Sequence, residues 1–256
     1  MNGANCTEKE YQPTVNSYDD DAPINEYGFM TPKYFRFKEI LKGFGSECDI
    51  EVTQPETTAY EPVRLNEYAE LFDNISVLSE KHIMTNPLPM EKLGQGYGFI
   101  LYETFIRGPR EEDYINLTVH DRAYVYVNDE FRCVLYRNDK KKKLKLGIPA
   151  EGLKLSILVE NMGRINYGAK LLDKKGIVSD VRIGQQCIYH WNAYTLPFSD
   201  VSSLNFIRNM KAKFSGRPVF LRGTLNIEGD VRDTFISPDG FRKGLVWVNG
   251  RLLSRF

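Results

Sequence analysis

The chain has 256 residues, enough for one large domain or two ordinary ones, and balances 34 Lys and Arg against 34 Asp and Glu. Zero net charge excludes the long-range positive field that gathers a polyanion, so no nucleic-acid partner is expected. Hydrophobic residues make up 42% and charged residues 27% of the chain. That usage excludes disorder for most of the chain, and no run reaches the roughly 18 apolar residues of a membrane span.

The start (Met1, Asn2, Gly3, Ala4, Asn5) lacks the charged and apolar regions of a signal peptide, so nothing in this chain directs export. Three N-x-S/T triplets point the other way: Asn5, Asn74 and Asn116 are glycosylation candidates that suit a secreted or lysosomal protein. Cys6, Cys48, Cys133 and Cys187 form no C-x-x-C pair, and His82, His120 and His190 are too scattered to complete a zinc site. No metal is expected.

In chain order, residues 1–30 are polar, acidic and turn-rich, and read as loop rather than core. Thr31 and Pro32 read as N-cap and first residue of a helix that carries Tyr34, Phe37, Ile40 and Leu41 at helical spacing and stops at Gly43. Residues 45–96 mix prolines with isolated aromatics and read as a connector laid over a surface, with a strand or two. After Gly96 the texture changes to short runs rich in Val, Ile, Leu, Tyr and Phe: Tyr97 to Ile106, Ile115 to Val119, Ala123 to Val127, Phe131 to Tyr136, Leu153 to Val159 and Gly176 to Ile183. Such spacing predicts a β-sandwich or jelly roll, with no helical periodicity to support a doubly wound α/β domain.

An internal echo divides the β region. Phe99 to Thr104 is matched by Val219 to Thr224, and Ala123 to Asp129 by Gly244 to Gly250. Each copy pairs a strand with a later one ending in Asn-Asp or Asn-Gly, the residues that turn a tight hairpin, so two related β domains are expected. The second has only seven residues after Asn249, whereas the first runs on for more than fifty after Asn128, and its hairpin would leave strand edges unpaired.

Chemistry is sparse. Glu26 with Asp19, Asp20 and Asp21 offers paired carboxylates of the kind glycoside hydrolysis needs, but acidic loops are far commoner than acid/base pairs. His120 beside Asp121 is weak as a base with its orienting carboxylate, because neighbours on a strand face opposite ways. Lys140 to Lys143 reads as a solvated turn entering a strand. With no nucleophile elbow and no Walker loop, no cofactor is expected. Glu160 to Gly168 differs in kind: two glycines and the donors of Asn161, Arg164, Asn166 and Tyr167 make a ligand clamp or a hydrogen-bonded dock, and unsatisfied backbone at a sandwich end favours the dock.

Asn2 to Asn5, Ser17 to Pro23, Lys33 and Tyr34, Tyr97 to Tyr102, His120 to Ala123, Glu160 to Gly168, Asp233 to Phe235 and Gly244 to Gly250 together resemble the family-35 β-galactosidases, in the same order and over nearly the whole chain. The resemblance implies a catalytic (β/α)8 barrel followed by jelly-roll or galactose-binding-like β-sandwich domains, and a retaining hydrolase that releases terminal β-linked galactose from a galactoside or glycan with two glutamates. The match begins at the end of the barrel, so Met1 reads as an internal methionine of a longer frame and no catalytic residue is expected among these residues. The implied division is 1–45 as the end of the barrel, 46–95 as connector, 96–185 as a β-sandwich, and 186–256 as a second, incomplete one.

Asn25 to Gly28 spells part of the family's acid/base motif, but its setting after Asp21, Ala22 and Pro23 aligns Glu26 with a non-catalytic segment. Asp20 stands where the family has an aromatic sugar contact, leaving substrate binding there in doubt. An orphaned barrel-facing surface built on Tyr34, Phe35, Phe37, Phe44, Leu65, Tyr68, Leu71 and Phe72 would drive self-association. The alternative reading is a non-catalytic carbohydrate-binding or interaction module that uses Tyr124, Tyr126 and the Asn161 to Tyr167 loop.

Overall fold

The computed structural model describes residues 2–7, 10–15, 21–45, 52–140, 144–208 and 216–256, so Asp19, Asp20, Cys48 and Lys141 to Lys143 lie outside the described residues. The chain is mostly β, built on β-sandwich architecture. Its contacts separate a larger unit (residues 2–14, 65–223 and 242–256) from a smaller one (15–64 and 224–241).

The larger unit is organised by a six-stranded antiparallel sheet in the order His82–Met84, Trp191–Leu196, Phe99–Ile106, Leu153–Glu160, Arg122–Val127, Glu130–Tyr136. The sheet therefore extends on both sides of the 96–185 stretch. A four-stranded sheet (Lys145–Ile148, Arg110–Asn116, Arg182–Ile183, Gln186–Cys187) supplies the facing layer. Side chains alternate across each strand, and Ile100, Tyr102, Ala123, Val125, Leu155 and Ile157 join Ile115, Leu146, Ile148 and Ile183 in one core. The opposite face of the large sheet is also covered: Leu101, Tyr126, Leu158 and Leu196 pack with Leu71, Ile75 and Phe198 and, beyond them, Phe220, Leu245 and Trp247. Burial on both faces explains why Leu153 to Val159 reads as nearly continuous hydrophobic sequence.

Several elements differ from the sequence expectation. Residues 1–30 are not all loop: Asn2–Cys6 and Tyr11–Val15 are strands, the first running parallel to Arg164–Ile165. Ala4 and Tyr11 are buried there in a small core with Ile165. Their partner lies far along the chain and only two residues pair, which leaves no local period to read. The run from Gly176 to Ile183 is two short strands, and Arg110–Asn116 is a strand whose exposed, charged composition hid it. Within the connector, Glu67–Glu70 pairs with Val219–Arg222.

Both expected hairpin turns occur. Asn128 and Asp129 have φ of 49° and 63°, and Asn249 and Gly250 have 50° and 80°, the left-handed backbone that Asn, Asp and Gly adopt at least cost. The second hairpin, Leu245–Val248 with Arg251–Arg255, forms a two-stranded sheet.

In the smaller unit, the helix spans Pro32–Lys42 with Thr31 as N-cap and Gly43 as C-cap. Its missing proline N–H falls where no intrahelical partner exists. None of its residues is buried, and Phe35, Phe37, Ile40 and Leu41 are about half exposed. Of the expected apolar surface, Phe35, Phe37 and Phe44 are exposed, whereas Leu71 and Phe72 pack into the core of the larger unit. Residues 56–60 run beside 232–235 through Thr58 N to Asp233 O at 2.9 Å and an Arg232–Glu56 ion pair at 3.0 Å, and Tyr27 meets Phe235 edge-on at 4.8 Å. Among the described residues, no helix is long and apolar enough to cross a membrane.

Candidate functional site

Asp121, between the short strand Val119–His120 and the strand Arg122–Val127, is 1% exposed. A buried carboxylate must be paired and hydrogen-bonded to be tolerated. Both of its oxygens accept from Lys175 Nζ, at 2.8 and 2.9 Å, and Oδ1 accepts from Arg137 Nη1 at 2.8 Å. Oδ2 also accepts from Met162 N and from the Tyr11 hydroxyl, each at 2.9 Å. Arg137 forks onto Asp173 at 2.8 and 2.9 Å, Lys175 Nζ lies 3.2 Å from Asp173, and His120 Nδ1 lies 3.2 Å from it on the other side. Two carboxylates thus meet two fixed cations, and the Tyr11 ring packs on both, 4.2 Å from the Arg137 guanidinium and 4.5 Å from the Lys175 ammonium.

The electrostatics follow from this packing. Burial works against ionisation of Asp173, but hydrogen bonds from His120 and Arg137 and the nearby positive charges hold its carboxyl well below the usual range. Arg137 is likewise partly desolvated, yet its bonds to Asp173 and Asp121 bind its proton more firmly than usual. Burial, followed by the Asp121 charge, pushes the Tyr11 hydroxyl up. All these groups are locked in mutual contacts.

The polar loop grows out of the same cluster. Asn161 Nδ2 and Arg164 Nε donate to Gly96 O at 3.1 and 2.8 Å, Asn161 Oδ1 accepts from Gly163 N at 3.1 Å, and Arg164 Nη1 meets Glu91 Oε1. Gly3 pairs with Arg164 and Ala4 with Ile165 in parallel register, while Tyr11 OH also approaches Gly163 O at 2.6 Å. Asn138 closes the joint by accepting from Tyr11 N at 3.2 Å and donating to Tyr11 O at 2.8 Å. Beyond it Asn166 and Tyr167 are exposed, Tyr167 by 83%.

A second buried carboxylate, Glu160, ends the central strand. It pairs with Lys243 Nζ at 2.8 Å and Arg255 Nη1 at 3.4 Å, while Arg255 also donates to Asn161 O and Met162 O at 3.1 and 2.6 Å. Its Oε2 has no hydrogen-bond partner among the described residues.

The remaining expected residues are dispersed. Asp20 lies outside the described residues. Glu26 is exposed on a turn closed by Asn25 Oδ1, which accepts from Tyr27 N and Phe29 N at 3.1 and 2.9 Å. Tyr126 is fully buried and Tyr124 stacks against Arg122, so neither forms an open aromatic platform. Asn5 is exposed; Asn116 is half-buried and donates to Tyr114 O at 3.1 Å. Asn74 is buried, donating to Glu70 O and accepting from Asn205 N at 2.8 Å each, so a glycan there would have to open this contact. Tyr11, Arg137, Asp173 and Lys175 carried no signal in the sequence beyond their residue types, because their partners are distant in the chain.

Residues 1–44 match the family model of glycosyl hydrolases family 35. Residues 87–197 match the first all-beta domain of beta-galactosidase, and residues 218–256 match its galactose-binding domain. The chain is 37% identical over 260 residues to a beta-galactosidase of Xanthomonas manihotis, covering all of this chain and 42% of that protein. It is 32% identical over 288 residues to beta-galactosidase 1 of Dictyostelium discoideum and 33% over 290 to a Bos taurus beta-galactosidase, again along its whole length, with 43% and 42% of those proteins covered. The chain belongs to glycosyl hydrolases family 35. It spans less than half the length of these relatives. In family terms, Tyr11 and the strand Asn2–Cys6 fall in the stretch matched by the family-35 model, and Asp121, Arg137, Arg164 and Lys175 in the first all-beta domain. The buried cluster is therefore the seam between those two stretches.

Proposed function

We propose that these residues serve as the non-catalytic β portion of a β-galactosidase-type glycoside hydrolase, docked to the end of its barrel, with the acid/base and nucleophilic carboxylates supplied by other residues. The observation that carries this reading is the seam at Asp121, where Tyr11 of the family-35 stretch is hydrogen-bonded to the carboxylate and packs on the Arg137 and Lys175 cations that the sandwich pairs with it. Retaining hydrolysis needs two carboxyl groups about 5–5.5 Å apart and open to the sugar. The buried carboxylates Asp121 and Glu160 and the half-buried Asp173 are each held by Lys or Arg, which supports a structural role.

Within this reading the Asn161, Arg164, Asn166 and Tyr167 loop is the dock, and its exposed tip offers Tyr167 as an aromatic face for a galactoside. A hydroxyl-edged ring fixed on an anchored loop suits a ligand that is apolar on one face and polar at its rim. The four-part division at residues 1–45, 46–95, 96–185 and 186–256, glycosylation at Asn5 and Asn116, lysosomal or secreted residence, and self-association through the exposed face of Pro32–Lys42 belong to the same proposal. Exchanging this chain for the matching region of the Xanthomonas manihotis protein tests it: hydrolysis of an aryl β-galactoside that survives the exchange and weakens in Tyr167→Ala supports the reading. A folded, secreted hybrid whose hydrolysis ignores Tyr167→Ala removes the sugar contact, and hydrolysis that depends on a carboxylate of the exchanged region overturns the non-catalytic assignment.

A further inference from the structure

The segment from Glu160 to Gly176 leaves the large sheet and returns to pair Gly176 with His120. Its tip, residues 166–172, makes few backbone hydrogen bonds of its own: Leu171 N reaches Gly168 O at 3.4 Å, and Asp173 N reaches Lys170 O at 3.0 Å. The direction of the tip must therefore be set from its two feet. At the first foot, Met162 N donates to Asp121 Oδ2 at 2.9 Å, and Tyr11 OH ties Asp121 to Gly163 O. At the second, Lys175 Nζ donates to both Asp121 oxygens and Arg137 bridges Asp121 to Asp173.

We propose that Asp121, with Lys175 as its buried counter-charge, is a positioning residue that sets how the 162–175 loop presents Tyr167. The inference rests on the reading of Tyr167 as the ligand-facing group only for its functional meaning; the positioning itself is a property of this chain. A buried ion pair is weak as a source of stability, since replacing both partners by neutral groups of similar size is often neutral or stabilising. Its evident product here is geometry: one carboxylate reaches both feet of a loop whose tip makes few backbone hydrogen bonds, beside the pairing of Gly3 with Arg164 and the bonds of Lys175 N to Glu91 at 3.1 and 3.2 Å.

The double variant Asp121→Asn with Lys175→Met removes both charges together and leaves Arg137 paired with Asp173, which keeps the fold testable. Two measurements on the full chain read the loop apart from the sheet. Hydrogen exchange at Met162, Gly163, Asp173 and Lys175 or its replacement is expected to accelerate roughly tenfold or more while the strands Phe99–Ile106 and Leu153–Glu160 keep their protection. With 3-fluorotyrosine incorporated, the fluorine resonance of Tyr167, assigned through Tyr167→Phe, is expected to shift or broaden while those of buried Tyr102 and Tyr126 stay in place. If the double variant fails to fold, Lys175→Met alone is read by the same two signals. Unchanged loop exchange with an unmoved Tyr167 resonance, or loop and sheet loosening together, overturns the inference. Neither signal involves a sugar, so loss of the sugar reading would show separately, as hydrolysis indifferent to Tyr167→Ala.

Discussion

Gly163→Ala probes the seam with a single methyl group. A Cβ built on Gly163 would lie 2.2 Å from Gly3 O and 2.8 Å from Gly3 C, where ordinary contact begins at 3.4 Å, so the strand Asn2–Cys6 must retreat by more than an ångström. That retreat stretches the parallel pairing of Gly3 with Arg164 and the 2.6 Å contact of Tyr11 OH with Gly163 O. Overpacking of this kind costs about 1–3 kcal/mol, and each weakened hydrogen bond about 0.5–1.5 kcal/mol. Loss of backbone freedom in the unfolded chain offsets roughly 0.4–1 kcal/mol of this. The net expectation is a loss of about 1–5 kcal/mol, read by calorimetry as a fall in Tm of roughly 2–20 °C. Hydrogen exchange should show the loss concentrated in residues 2–15 rather than in the large sheet. Gly96→Ala is the control, because nothing lies within 4 Å of its added Cβ; it should change stability by less than about 0.5 kcal/mol. Wild-type protection of residues 2–6 and an unmoved Tm in Gly163→Ala would refute the close approach on which the docking argument stands.

Other outcomes follow from the same cluster. Tyr11→Phe keeps the ring against Arg137 and Lys175 but removes the hydroxyl from a buried carboxylate, and should cost about 1.5–3 kcal/mol in denaturant unfolding; a change below about 0.5 kcal/mol would count against that bond. Because Asp173 is held ionised below its normal range, its contribution is fully present above an unfolded pKa of about 4 and is lost as pH falls from there toward the folded value. Acid titration of Arg137→Met should therefore flatten the decline in stability between about pH 4 and pH 2 relative to the parent. Burial raises the pKa of Tyr102, Tyr126 and Tyr11, and pushes Tyr124 up to about 12. These groups give stability that is present below an unfolded pKa of about 10 and lost as pH rises through their folded values, so unfolding free energy should drop above about pH 10; a rise there would contradict the burial.

Local features were legible where local chemistry decides them. Pro32 after Thr31 and Gly43 at the far end mark the helix because they solve the problem of its unpaired terminal backbone groups, and Asn128–Asp129 and Asn249–Gly250 mark hairpins because they tolerate positive φ. The central strands were legible from hydrophobic runs. The polar strand Arg110–Asn116 was not, since only one of its residues is buried. That Asn161 and Arg164 make several hydrogen bonds was foreshadowed by donor density, but the hub was not. Asp121 gathers Tyr11, Arg137, Met162 and Lys175 from separations of 110, 16, 41 and 54 residues, and no period or motif links such positions. The strand argument against His120 and Asp121 acting together concerned sequence neighbours, whereas both meet the cluster through Asp173, Arg137 and Lys175.

In the proposed role, the carboxylates of this chain hold structure and the seam rather than perform hydrolysis. The most direct measurement is the rate at which the purified, folded chain releases aryl alcohol from a nitrophenyl β-galactoside, with Asp121→Asn and Glu160→Gln measured beside it. No release above the uncatalysed rate is expected from any of the three. Turnover by the parent chain that either substitution abolishes, in a variant that remains folded, would contradict it.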